Sequence, residues 1–127
     1  MADEKKTILV VDDEPDVREY ITAMLEDNGY LVKTANDGQQ ALDAMAQGLP
    51  DLITLDVSMP EKSGVRLYRD MKESDERKHV PIIMITGVDS TFEKFISSRK
   101  QVSAPDGYIQ KPIDQTKLLE LVKKLTS

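Results

Sequence analysis

The sequence predicts an α/β domain of three layers, a five-stranded parallel sheet doubly wound with helices on both faces. Three observations lead there. Short apolar runs recur along the chain, and each is followed by a stretch whose apolar residues return every three or four positions. The runs at residues 8–11, 52–55 and 82–85 are nearly continuous rather than alternating, as in strands covered on both faces. Four of the five runs end in Asp, Thr or Lys, at the edge where open α/β sheets place their ligand chemistry.

Each element has its own warrant. Thr7-Ile8-Leu9-Val10-Val11 reads as the first strand and stops at Asp12-Asp13. Pro15 suits a first helical position, where a missing N–H costs nothing. Val17, Ile21, Met24 and Leu25 then mark an amphipathic helix over about 15–28, closed by Asn28-Gly29. Residues 31–35 suit a half-covered edge strand whose apolar and polar residues alternate. After the turn Asn36-Asp37-Gly38, the residues Ala41, Leu42 and Met45 predict a second helix ending near Gly48.

The third strand, 52–55, ends at Asp56, and a loop through Met59-Pro60 restarts as a helix over about 64–73. In that helix Val65, Leu67, Tyr68 and Met71 are the inward candidates. Residues 74–78 form a polar loop, and 81–85 a fourth strand ending at Thr86-Gly87. A fourth helix is expected around 90–100, carrying Phe92, Phe95 and Ile96. Tyr108-Ile109-Gln110 is a short fifth strand ending at Lys111-Pro112. Asp114 caps a last helix whose Leu118, Leu119, Leu121, Val122 and Leu125 complete the core.

At 127 residues the chain is read as one domain, 1–127, with its core over about 7–126. The absence of cysteine rules out a disulfide framework and a thiolate metal site. No apolar stretch approaches the ~20 residues that span a bilayer. The start, Met-Ala-Asp-Glu-Lys-Lys, lacks a secretory apolar segment, so a cytoplasmic protein is expected. A net charge of −6 argues against direct nucleic-acid binding, which needs a basic face. Aromatic residues are only 5% of the chain, which disfavours base stacking or a large apolar ligand pocket.

In a parallel sheet all strand ends point the same way. Asp12, Asp13, Asp56, Thr86 and Lys111 therefore meet at one edge. Three close carboxylates cannot all stay ionised without a cation, because like charges raise one another's pKa. Carboxylate oxygens without His or Cys favour a hard ion, Mg²⁺ rather than zinc. Lys111 offsets one charge and suits a phosphoryl oxygen equally well. Each residue alone has an ordinary explanation, Asp-Asp as a helix cap and Thr86-Gly87 as a simple loop, and only their joint occurrence is specific. His79, in a polar loop, reads as a solvated side chain, and so does the charge run at 74–78.

With those residues in place, the chain resembles, along essentially its full length, the receiver domain of bacterial two-component response regulators. The motifs are the acidic pair after the first strand, Asp-x-x-Met-Pro-x-x-x-Gly from Asp56 to Gly64, Thr86 followed by the small Gly87, and Lys111-Pro112 preceded by Tyr108. The resemblance implies a flavodoxin-like sheet of order 2-1-3-4-5. It implies that Asp56 is the phosphoacceptor, charged by a sensor histidine kinase or a histidine phosphotransfer protein. It implies Mg²⁺ held by Asp13, Asp56 and the backbone carbonyl of Ser58, with Asp12 acting through a bound water. Lys111 and Thr86 would bind phosphoryl oxygens, Gly87 would leave access open, and Pro112 would follow a cis peptide. Inward movement of Thr86 would vacate space for the ring of Tyr108, altering the face of the fourth helix, fifth strand and fifth helix that a downstream target reads.

Two departures from the family pattern matter. The segment from Thr86 to Tyr108 is slightly long, and Ser97-Ser98-Arg99-Lys100 is atypical, so an extended, bent or partly disordered fourth helix is expected. Ser58 and Val88 lie two positions beyond Asp56 and Thr86, where the family flanks the water that hydrolyses the acyl phosphate. An apolar Val88 offers that water no hydrogen bond, which predicts self-dephosphorylation over many minutes. The chain is expected to be a single-domain regulator or the same domain of a longer one, a monomer or a phosphorylation-dependent dimer. The competing readings are an aspartyl-nucleophile phosphatase, a flavodoxin-like cofactor binder and a receiver-like scaffold that is not phosphorylated. The phosphatase would want a second Asp two positions on, where Ser58 and Glu14 stand instead. The cofactor binder would want a phosphate loop where Asp12-Asp13-Glu14 repels phosphate.

Overall fold

A computed structural model describes residues 5–56, 63–86 and 106–126. Five strands, β1 (Thr7–Val11), β2 (Leu31–Ala35), β3 (Leu52–Asp56), β4 (Ile82–Thr86) and β5 (Gly107–Gln110), form one sheet in the order β2-β1-β3-β4-β5. Every pairing is parallel, with Ile8 beside Val32 and Leu52, and Asp56 beside Ile85. Four helices are described: α1 (Pro15–Asp27), α2 (Gly38–Ala46), α3 (Ser63–Glu73) and the C-terminal α4 (Gln115–Thr126). The helix expected around 90–100, with Phe92 and Phe95, lies outside the described residues.

The alternation of strand side chains divides the core into two layers. Leu9, Val11, Ile53, Leu55, Ile82 and Met84 face Ala41 and Met45 of α2 and Leu67, Tyr68 and Met71 of α3. On the opposite face Ile8, Val10, Leu52, Ile83, Ile85 and Ile109 meet Ile21, Met24 and Leu25 of α1 and Leu118 and Val122 of α4. Because β1, β3 and β4 are covered on both faces, their sequences carry no period of two. Thr54 is the exception inside β3, and its buried hydroxyl oxygen has no hydrogen-bond partner. The edge strand β2 is less covered than its sequence suggests, since Leu31 is 51% exposed and only Ala35 is buried.

Local chemistry sets the helix ends. Pro15 opens α1, and a Schellman motif closes it. There Gly29 N–H donates to the Glu26 carbonyl (3.1 Å) and Tyr30 N–H to the Leu25 carbonyl (3.1 Å). Gly29 sits at φ +90°, a conformation open to glycine at little cost. Asp37 caps α2 by accepting from Gln40 N–H at 2.8 Å, and Asp114 caps α4 by accepting from the N–H groups of Thr116 and Lys117.

The N-terminal edge of the sheet is fastened by two matching devices. Asp51, just before β3, accepts from Thr7 N–H through Oδ2 (2.8 Å) while its own N–H donates to the Thr7 carbonyl (2.8 Å). Asp106, just before β5, does the same to Ile82, at 2.9 Å and 3.0 Å. Each aspartate pins the first residue of the neighbouring strand and so sets the register there. That register, carried along parallel strands, aligns the opposite ends where the polar residues stand.

Candidate functional site

The C-terminal edge gathers what the strand ends supply. Asp56 is the last residue of β3 and has 0% of its surface exposed. Asp12 follows β1 and is 1% exposed; its N–H continues the β1–β2 ladder by donating to the Ala35 carbonyl at 3.1 Å. Asp13 and Glu14 stand beside them, exposed, in the turn into α1. One carboxylate oxygen from each of Asp12, Asp13, Glu14 and Asp56 lies within 4.8 Å of all the others. From β5, Lys111 reaches across so that its Nζ donates to Asp56 Oδ2 at 2.7 Å and stands 4.0 Å from Glu14 Oε1. The Lys111-Pro112 peptide bond is cis, as expected.

Asp12 is held from two sides. Its Oδ1 accepts from Glu14 N–H (2.9 Å), and its backbone carbonyl accepts from Arg18 Nη1 (2.8 Å) one turn into α1. Its other oxygen, Oδ2, is buried with no hydrogen-bond partner. Burial, and then the facing charge of Asp56, push the Asp12 carboxyl up from 3.8 to about 7. For Lys111, burial works against the charged form, but the hydrogen bond to Asp56 and the charges of Asp56, Asp12 and Glu14 outweigh it and hold the pKa above 10.5.

A buried carboxylate oxygen with no donor, among three more carboxylates, is what a hard divalent cation would satisfy. The cluster holds oxygen donors and no His or Cys, so the residues fit Mg²⁺ in preference to zinc. The arrangement can hold a cation among the carboxylates, with the Lys111 ammonium at Asp56. Such a geometry neutralises charge arriving at Asp56.

The remaining predicted residues are placed as follows. Thr86 ends β4, in register with Gln110 of β5, one strand from Asp56. Tyr108 lies opposite Met84, is 38% exposed, and borders a shallow groove with Lys117, Leu121 and Lys124 of α4. Ser58, Gly87 and Val88 lie outside the described residues. His79 is exposed. Two participants were not anticipated from the sequence as site residues: Glu14 as a fourth carboxylate, and Arg18 as the clamp on Asp12. Glu14 was visible as the third acid of a run, but its contact with Lys111 depends on the β5 end.

The chain is similar to known proteins along most of its length. A sequence model described as the response regulator receiver domain matches residues 8–123. An uncharacterized 14.6 kDa protein of Leptolyngbya boryana is 35% identical over 92% of this chain and 87% of its own. Response regulator MprA of Mycolicibacterium vanbaalenii is 36% identical over 93% of this chain, which spans 49% of MprA. The solved chemotaxis response regulator CheY4 of Vibrio cholerae superposes with a TM-score of 0.79 at 32% identity, over 96% of this chain and 99% of that one.

Proposed function

Since the chain belongs to the response regulator receiver domain family, we propose that it is a signalling switch charged at Asp56 by a phosphohistidine donor. The donor is a sensor histidine kinase or a histidine phosphotransfer protein, and the setting is the cytoplasm. The observation that carries the reading is the buried Asp56 carboxylate with Lys111 Nζ at 2.7 Å and the Asp12, Asp13 and Glu14 carboxylates around it.

Phosphoryl transfer asks a protein for positioning and charge neutralisation more than for acid–base chemistry. An oxygen of Asp56 forms the new O–P bond while the P–N bond of the donor breaks, its electron pair returning to the imidazole nitrogen. Lys111 is already at the nucleophile and can follow the charge onto a phosphoryl oxygen. Asp12, Asp13 and Asp56, with the carbonyl of Ser58, would hold Mg²⁺, which when bound supplies the positive charge that the transferring group needs. Thr86 donates its hydroxyl to another phosphoryl oxygen. The product, an acyl phosphate, carries about −1.5 to −2 of charge where the carboxylate carried −1, at a buried strand end. The response is a population shift in which Thr86 moves toward the site and the Tyr108 ring follows, changing the β5–α4 face.

The test is intact mass after incubation with acetyl phosphate and Mg²⁺, on wild type and Asp56→Asn. The expected result is a gain of one phosphoryl group that needs Mg²⁺ and vanishes in the variant. No gain in wild type, with Mg²⁺ binding intact, would overturn the reading in favour of a scaffold.

A further inference from the structure

We infer that Glu14 is a specificity residue, a charge gate that disfavours free dianionic phosphodonors at Asp56. This inference rests on the receiver reading and adds to it a selectivity among donors. Glu14 is the cap residue of α1, its backbone is extended, and its side chain makes no capping hydrogen bond to the helix. The Glu14 side chain is 61% exposed, while the Asp56 side chain is fully buried. Among the described residues, Glu14 is therefore a solvent-facing carboxylate beside the buried Asp56.

Three features of the geometry make this charge consequential. A bound divalent cation and Lys111 would match the charges of Asp12, Asp13 and Asp56, and Glu14 adds a fourth carboxylate beside them. It also stands 4.0 Å from Lys111 Nζ, the cation that has to turn from Asp56 toward the incoming phosphoryl oxygens. Glu14 thus repels the arriving dianion and competes for the group that would receive it. Its exposure makes the effect moderate: a unit charge a few ångströms away in a largely aqueous mouth alters a rate by ~3- to 10-fold. A donor that brings its own positive charge to the mouth escapes the penalty.

Glu14→Gln keeps size and polarity and removes only the charge. The experiment measures phosphoryl incorporation by intact mass at saturating Mg²⁺, with acetyl phosphate, a dianion near neutral pH, and with phosphoramidate, which carries one net negative charge. Mg²⁺ affinity is measured separately by calorimetric titration. In Glu14→Gln the acetyl phosphate rate is expected to rise ~3- to 10-fold, and the phosphoramidate rate by a smaller factor. Mg²⁺ affinity falls slightly, the opposite direction, because a nearby negative charge is lost. Glu14→Asp restores the wild-type donor ratio, and added salt shrinks the difference between wild type and Glu14→Gln. Equal acceleration with both donors, no acceleration, or a fall in both rates would overturn the gate while leaving Asp56 as acceptor. Absence of incorporation in every protein with either donor would instead defeat the receiver reading, and the gate with it.

Discussion

Lys111 Nζ and Asp56 Oδ2 are 2.7 Å apart, an ion pair between the ends of β5 and β3 in which the carboxylate is wholly buried and the ammonium side chain is 23% exposed. A buried charge left without its partner is costly, more so than the pair itself is stabilising. Lys111→Ala is therefore expected to lower the stability of the metal-free protein by about 1–3 kcal/mol in urea unfolding. It should also slow acetyl phosphate labelling at least tenfold. Lys111→Arg should not restore the rate, since a planar guanidinium cannot reproduce a compact point charge. Full labelling in Lys111→Ala would contradict the role given to the ammonium.

Asp12 makes the metal-free fold sensitive to pH. Its carboxyl titrates at about 7 in the folded protein against 3.8 ordinarily, chiefly through burial. Between those values the folded state holds a proton that the unfolded chain has lost. Stability from this group is therefore full below about pH 4 and declines as the pH rises to 7. Asp12→Asn removes that slope, so its stability advantage over wild type should grow by ~2 kcal/mol between pH 5 and pH 8 without Mg²⁺. Urea unfolding at the two pH values checks this, and an advantage that shrinks with pH would refute it.

Arg18 donates to the Asp12 backbone carbonyl at 2.8 Å and so braces the turn that presents the acidic pair. Arg18→Ala should cost about 1 kcal/mol in stability and weaken Mg²⁺ binding several-fold. Calorimetric titration distinguishes this from a purely structural role, in which stability falls and Mg²⁺ affinity does not.

Thr54 offers a substitution that should strengthen the protein. Its hydroxyl oxygen is buried without a partner, so Thr54→Val keeps the shape and removes a desolvated polar atom. An increase of about 1 kcal/mol is expected in urea unfolding. A decrease would mean that the hydroxyl is satisfied in solution.

Much of this molecule is legible in its sequence because the covered strands announce themselves. Ile82, Ile83, Met84 and Ile85 read as a strand buried on both faces, and of the helix residues chosen by spacing Ile21, Met24, Leu25, Ala41, Met45, Leu67, Tyr68, Met71, Leu118 and Val122 are buried, while Leu42, Leu119 and Leu121 are partly so. Asp12, Asp56 and Lys111 were also readable, since parallel topology brings strand ends together whatever their separation in sequence. The clamp of Arg18 and the reach of Lys111 to Glu14 were not, because side-chain direction at a turn depends on geometry that spacing does not encode. Leu31 was read as part of an alternating strand, yet it sits at the start of the outermost strand with neighbours on one side only. Thr54 shows the same limit from the other direction: a polar residue in an apolar run gave no hint that its hydroxyl would lack a partner.

Asp51 and Asp106 fasten the rear of the sheet with four hydrogen bonds, far from the residues that carry charge at the front. The strand alignment is thereby anchored at the edge away from those charges. The front can gain a cation, lose a proton or exchange Glu14 for another residue without loosening the alignment of the strands behind it. A lineage built on this plan can change which donors it accepts by altering single side chains at the mouth, and the frame that holds Asp56 in place does not have to be reinvented each time.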